Sequence, residues 1–180
     1  MKWRNSVNQY GWLAAGMHWI MLVLLIAVYA SMELRELYPK GSDPREALKS
    51  LHYMLGLVVL ALVAIRIAIN CTNPVPAILP PPGRVQMIVA GAVKASLYLL
   101  MLAMPLLGWA LLSAEAKPLL FIWWNVPPLL SESKPLAELI KEIHEAGAYI
   151  GYWLIGLHAI AGLYHHFVVG DNTLRRMWRW

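Results

Sequence analysis

The stretch IHEAGAYIGYWLIGLHAIAGLYHHFVV, residues 143–169, decides the fold class. It can cross about 30 Å of hydrocarbon as an α-helix at about 1.5 Å per residue, and its one acidic residue is Glu145. Three comparable apolar stretches precede it, at residues 12–32, 51–69 and 85–113. The sequence therefore predicts an all-α integral membrane protein, an up-down-up-down four-helix bundle forming a single membrane domain over residues 1–180.

The composition supports lipid as the solvent for much of the chain. Apolar residues make up 59% of it and charged residues 14%, whereas a soluble domain carries about 25% charged residues. The single cysteine, Cys71, excludes a disulfide framework, a thiolate zinc cluster and an iron–sulfur cluster held by this chain alone. The Cys-x-x-Cys-His motif of covalent haem attachment does not occur.

The first span resembles a signal peptide at its start, and the second loop is rich in proline. Lys2 and Arg4 before an apolar run could indicate a signal peptide, but the run is too long and no Ala-x-Ala site closes it, so we expect a retained helix. The segment NPVPAILPPPG, residues 73–83, cannot be helical and is predicted to link the second and third spans.

The charges predict the orientation. The N-terminus, the second loop and the C-terminus hold seven basic residues against one acidic residue, whereas the first and third loops hold seven basic residues against nine acidic ones. Because basic loops stay inside, both termini are expected in the cytoplasm, in a multi-pass protein of the bacterial inner membrane. The basic residues of the cytoplasmic side are Lys2, Arg4, Arg66, Arg84, Arg175, Arg176 and Arg179.

Four histidines within the spans pair by depth. A lone histidine on an apolar face is usually a core residue, but ionisable residues in a membrane are costly and usually functional. In antiparallel helices, His52 and His144 fall near the outer surface, while His18 and His158 fall in the inner half. His158 follows His144 by fourteen residues, about 21 Å of helix on nearly the same face. Two such pairs are what two b-type haems with axial imidazoles need.

The partner of His18 stays open between two candidates. His165 lies seven residues beyond His158 on the same face, and its depth matches that of His18 at least as well. Choosing His165 would separate the two stations by about 31 Å, nearly the whole membrane, so His158 is preferred. His165 and His166 could contact a propionate, line a quinone site or relay a proton, or could simply be polar residues where the helix ends before Gly170.

Three glycines and one arginine each have two interpretations. Gly56, Gly147 and Gly151 near the histidines could let a macrocycle approach the backbone, or could serve ordinary helix packing. Arg66, fourteen residues after His52, reaches the inner level and could pair with haem propionates. It could equally be an anchor that extends its charge to the membrane surface.

Several motifs occur together in an order typical of one known family. They are His18-Trp19; His52, Gly56 and Arg66; Leu97-Tyr98 through Pro105 to Gly108; His144-Glu145; Gly156-Leu157-His158; and His165-His166-Phe167 followed by Asp171-Asn172-Thr173-Leu174 and Arg176-Met177. On these motifs the chain resembles the bacterial di-haem cytochrome b561 family over nearly its whole length.

The resemblance implies a ligand set and an activity. It implies that His18 and His158 bind an inner haem b and that His52 and His144 bind an outer one, which supports His158 over His165. It further implies electron passage between the outer side and membrane quinone; in a superoxide oxidase of this family, superoxide becomes oxygen and ubiquinone is reduced. One departure is Lys94, where that protein has a histidine, and this puts a quinone or propionate contact in doubt.

Three functions fit parts of this pattern. The favoured one is a superoxide:ubiquinone oxidoreductase without catalytic side chains, because the haems carry the chemistry; basic residues of the outer loops could steer superoxide, although those loops are acidic overall. The alternative is a cytochrome b subunit passing electrons between a partner dehydrogenase or hydrogenase and quinone. A histidine-lined transporter would want more carboxylates within the spans. The expected partners are lipid, quinone and superoxide or a redox protein, and no nucleic acid, because the basic residues cluster at membrane ends.

Overall fold

The computed structural model describes residues 3–178, so Lys2 and Arg179 of the charge pattern lie outside the described residues. Four helices are long and apolar enough to cross a membrane, which confirms the predicted fold class. They are α1 (Trp12–Leu34), α2 (Asp43–Cys71), α3 (Arg84–Ala114) and α4 (Lys134–Tyr164). A 3-10 turn (Arg35–Leu37) follows α1, and a π-helical turn (His165–Val169) continues α4.

Two helices begin well before their apolar stretches. α2 begins at Asp43 and α4 at Lys134, each with a proline in its first turn, where proline's missing N–H costs nothing. These first turns are polar, so hydropathy alone detects the membrane part of each helix and misses the part that extends into water.

The third loop contains a hairpin that the proline pattern did not reveal. Strands β1 (Leu119–Phe121) and β2 (Trp124–Val126) pair antiparallel, with Leu119 opposite Val126. Leu119 and Val126 are buried against Leu112 of α3 and pack on Tyr53 of α2. The hairpin therefore covers the end of the bundle next to His52, while Trp123 at its turn is 88% exposed, as an interfacial anchor would be.

The helices form an open ring. Neighbours along the chain pack against each other, and Met21, Val59, Val63 and Met101 form a core shared by α1, α2 and α3. Among the described residues, however, α1 and α4 have no pair of Cα atoms within 8 Å. Side chains bridge this seam: the Tyr29 hydroxyl donates to the Ala148 carbonyl at 3.0 Å. The space inside the ring is thus bounded on one side by side chains only.

The two ends of the bundle differ in their chain segments. At one end, here called the terminal face, the Tyr10 N–H donates to the Arg176 carbonyl at 3.2 Å, and the Leu79 N–H donates to Asn172 Oδ1 at 2.8 Å. The N-terminal segment, the proline-rich loop and the C-terminal tail therefore assemble together there. The opposite end, the hairpin face, carries the hairpin and the α1–α2 loop. Residues 3–11 and 170–178 therefore lie on one face, as four crossings require.

Arg45 holds the α1–α2 corner above His52. Arg45 is 7% exposed, and its guanidinium donates to the carbonyls of Arg35 at 3.0 Å and Tyr38 at 2.9 Å and to both carboxylate oxygens of Glu36. We expect Arg45→Met to lower the free energy of unfolding by about 1–3 kcal/mol, because two backbone carbonyls and a carboxylate lose a charged donor. Thermal unfolding in detergent measures this; Lys49→Met, which removes an exposed ion pair, should cost less, and equal losses would contradict the assignment.

Candidate functional site

The structure brings the four spanning histidines together as two pairs. The ring centres of His52 and His144 lie 6.3 Å apart with an interplanar angle of 76°, and those of His18 and His158 lie 6.2 Å apart with an angle of 69°. The pairs are separated along α4 by fourteen residues, about 21 Å. The first pair joins α2 to α4 near the hairpin face, and the second joins α1 to α4 across the seam, nearer the terminal face.

Both separations fit a metal ion between opposed imidazoles. Imidazole nitrogens bind transition metals at about 2.0–2.1 Å, so a metal held between two of them separates the ring centres by about 6 Å. Within residues 3–178, no three histidine, cysteine or acidic side chains cluster around one point. Each pair would supply two nitrogen ligands, which fits a cofactor that brings its own remaining ligands, as a haem does.

His52 is oriented as a ligand should be. Its Nδ1 lies 3.1 Å from the Val28 carbonyl oxygen and 3.4 Å from Ser31 Oγ. A carbonyl can only accept, so Nδ1 carries the proton and Nε2 keeps its lone pair. Metal-binding histidines are commonly fixed in this way by a hydrogen bond from the other ring nitrogen.

His144 Nδ1 is buried, and the side chain interacts with the backbone of Met104 on α3. Its ring packs against Gly108 of α3, where an added Cβ would lie 3.3 Å from His144 Cε1. A side chain at residue 108 would therefore press on the ring. The Nδ1 edge of the ring thus faces α3, which leaves Nε2 as the nitrogen that could bind a metal.

His52 and His144 line a cavity that is open on one side. Together with the solvent at its mouth, it contains about 1100 Å³ of space without protein atoms. Gly56 lines it, and a Cβ there would meet no described atom within 4 Å. The lining is mainly apolar and includes Leu25, Val28, Met32, Leu57, Met101, Met104, Trp109 and Leu112.

The structure distinguishes the two interpretations of Gly56, Gly147 and Gly151. Gly56 borders the cavity and is compatible with a nearby macrocycle. Gly147 lies against Met104, whose sulfur would be 2.5 Å from an added Cβ, and Gly151 lies against the Tyr29 hydroxyl. For Gly147 and Gly151 the helix-packing interpretation therefore fits.

Arg66 turns into the bundle rather than towards the membrane surface. Its guanidinium donates to His18 Nδ1 at 3.1 Å and to the Tyr98 hydroxyl at 3.1 Å. Because Arg66 can only donate, His18 Nδ1 acts here as an acceptor. A metal bound through His18 Nε2 would leave the proton on Nδ1, so this contact must break when the metal is held. The arginine would then be free beside the pair to meet an anionic group.

His165 does not approach His18. Its Nδ1 lies 2.6 Å from Asp171 Oδ2, beyond the end of α4. The carboxylate of Asp171 was missed as a site residue, although it lies inside the tail motif. No sequence signal could have identified the Val28 carbonyl, because every residue has one. His166 lies in the same turn with a buried Nδ1, and Lys94 is exposed on α3.

The basic side chains of the hairpin face are largely neutralised. Lys117 pairs with Glu115 at 2.9 Å, and that hydrogen bond raises the pKa of Lys117. Five of the seven basic residues of the first and third loops have such acidic partners, which favours a mixed-charge surface over a broad positive funnel. The other four pairs are Arg35–Glu36, Arg45–Glu36, Lys49–Glu46 and Lys141–Glu145.

The chain is similar to known proteins over nearly its whole length. Residues 9–180 match the family described as prokaryotic cytochrome b561. The chain is 40% identical to cytochrome b561 homolog 1 of Escherichia coli K12 over 171 residues, which cover 95% of this chain and 97% of that protein. It is 35% identical to the probable superoxide oxidase CybB of Yersinia pestis, with 94% and 96% covered, and 26% identical to cytochrome b561 homolog 2 of Escherichia coli K12, with 98% and 95% covered.

Proposed function

The chain belongs to the prokaryotic cytochrome b561 family, and from this premise we propose that it oxidises superoxide at the hairpin face and reduces ubiquinone. It is a multi-pass bacterial membrane protein for electron transfer, in a family that binds b-type haem. The proposal adds that it holds two haems, and that it lies in the inner membrane with the terminal face in the cytoplasm. The charge asymmetry of the loops supports this orientation.

The proposed ligands are His52 and His144 for one haem and His18 and His158 for the other. The observation that carries this assignment is the separation of the ring centres, 6.3 Å and 6.2 Å, in two independent pairs. When bound, a haem supplies reversible one-electron transfer, and two in series span the membrane. The reaction at the hairpin face needs no nucleophile, acid or base from the protein, because superoxide oxidation removes only an electron.

The surrounding side chains hold and compensate the cofactor. The Val28 carbonyl fixes the His52 ring, and Gly56 leaves room beside it. Arg66 supplies a cation for a propionate at the second pair, since a carboxylate within the membrane is costly unless it is paired. Tyr98 accepts hydrogen bonds from Arg66 and Asn70 and would keep the guanidinium within reach.

The choice of superoxide as donor rests on the 35% identical relative that is named a probable superoxide oxidase. Because most basic residues of the hairpin-face loops are neutralised, any attraction of the anion must be local. The alternative remains a cytochrome b subunit that receives electrons from a partner dehydrogenase or hydrogenase.

An optical experiment tests the donor and the acceptor together. The purified, detergent-solubilised protein is given a superoxide source while its b-type haem bands are followed, with and without ubiquinone. We expect rapid reduction that superoxide dismutase prevents and that ubiquinone reverses. If dithionite reduces the haems but superoxide does not, the result would favour the electron-transfer subunit. A protein without haem bands after haem-replete expression would contradict haem binding by this chain.

A further inference from the structure

A histidine–aspartate dyad lies at the terminal face, outside the two histidine pairs. His165 Nδ1 is 2.6 Å from Asp171 Oδ2, and Asp171 Oδ1 accepts the Thr173 N–H at 2.8 Å. Asp171 is 2% exposed, so its carboxylate is held in place beneath the imidazole. Gly170, at φ 75°, reverses the chain between them, as a left-handed residue at a helix end does. The dyad is thus a rigid unit, built by the fold-back of the tail.

The dyad is placed where the lipid meets the terminal face. His165 opens a π-helical turn, a rare conformation that is frequent at functional sites. It follows His158 by seven residues, about 10.5 Å along the same face of the helix. Around it Leu163, Tyr164, Phe167 and Val168 are exposed apolar side chains. A ring dissolved in the membrane can therefore approach the imidazole from the lipid side.

The proposed reaction needs protons on this side. Oxidation of superoxide to oxygen releases an electron and no proton, whereas reduction of a quinone to a quinol takes up two electrons and two protons. The reaction therefore needs a proton donor where the quinone is reduced. Asp171 is the only acidic side chain in the described segments of this face, residues 3–11, 72–83 and 165–178.

We propose that His165, held by Asp171, is the proton donor to a membrane quinone that is reduced beside the terminal-face histidine pair. In each of two transfers the Nε2–H bond of His165 breaks and an O–H bond forms on a quinone oxygen. The neutral imidazole keeps its Nδ1 proton, which is hydrogen-bonded to the Asp171 carboxylate, and takes a new Nε2 proton from water. This inference rests on the proposed quinone reduction and names the side chains that serve it.

The dyad pairs the imidazole of His165 with an ionised carboxylate. Burial raises the pKa of Asp171, but hydrogen bonds from Thr173 and His165 outweigh this effect and leave the pKa below its ordinary value. The carboxylate is therefore ionised. Arg176 of the tail is engaged elsewhere, with the Pro76 carbonyl and the Tyr10 ring. The proline-rich loop contributes no titratable side chain between residues 73 and 83. Close along the chain are Tyr164, whose ring centre lies 6.2 Å from that of His165, together with His166 and Arg175; the N-terminal segment adds Arg4 and Tyr10.

The test compares His165→Gln and Asp171→Asn with the matched control His166→Gln in the haem-loaded protein. Superoxide reduces the haems, and quinol formation is followed between pH 6 and pH 9. We expect unchanged haem reduction in all three variants, and quinol formation slowed about 10-fold or more by His165→Gln, since positioned acids contribute about 10²–10⁴-fold and water replaces them poorly. In Asp171→Asn the imidazole loses the carboxylate that holds it, so quinol formation should slow there as well.

The outcomes separate the two proposals. If the unaltered protein reduces its haems but never ubiquinone, the proposed function fails. If it forms quinol and His165→Gln does so equally fast across the pH range, the dyad is not the donor. An equal loss in His166→Gln would also overturn the assignment, because it would show a general disturbance of the turn. His165→Gln decides even if Asp171→Asn misfolds, since the glutamine amide can still donate to Asp171.

Discussion

His144→Ala is expected to halve the haem content of the purified protein, from two haems per chain to one. The remaining haem should be the one between His18 and His158, because those side chains lie about 21 Å away along α4 and touch neither His52 nor the hairpin-side cavity. Haem per chain is measured as the pyridine adduct against protein concentration, and His52→Ala should give the same result.

A neighbouring substitution provides the control for this prediction. Glu145→Gln changes the next residue on α4, whose carboxylate pairs with Lys141 at the surface, 3.8 Å away, and it should keep both haems. If His144→Ala or His52→Ala removed both haems from a protein that is still folded, the pairing of the histidines would be wrong.

His158→Ala is expected to remove the second haem, whereas His165→Ala is expected to leave it bound. His158 faces His18, with ring centres 6.2 Å apart, whereas His165 faces Asp171. Loss of His158 should therefore remove the terminal-face haem and leave the hairpin-side one, while His165→Ala should keep two haems. The reduced spectrum and the haem content of the two variants, purified side by side, measure this difference. Two haems in His158→Ala and one in His165→Ala would show that His165 is the ligand.

The number and order of the spans could be predicted from the sequence because they depend on a local quantity. Twenty or so apolar residues span the hydrocarbon wherever they occur. The helix ends were less accessible: α2 and α4 extend beyond their apolar parts through Asp43 and Lys134. The β1–β2 hairpin was missed, because a three-residue strand is too short to show a period.

The site could be predicted in part for the same reason. Fourteen residues return an α-helix to nearly the same face, so the pairing of His144 and His158 with other helices followed from spacing. Spacing of seven residues does the same, however, and therefore could not separate His158 from His165 as the partner of His18. That distinction depends on where the tail after Gly170 goes.

Hydropathy, charge and helical period are local properties of the sequence, and they are enough to predict a four-span membrane helix bundle with histidines at two depths. Other features are seen only in the folded chain: which imidazoles meet, the seam between α1 and α4, the contact of Arg66 with His18 and the contact of Asp171 with His165. The first three depend on how helices far apart in the chain pack together, and the last depends on how the tail folds back after Gly170.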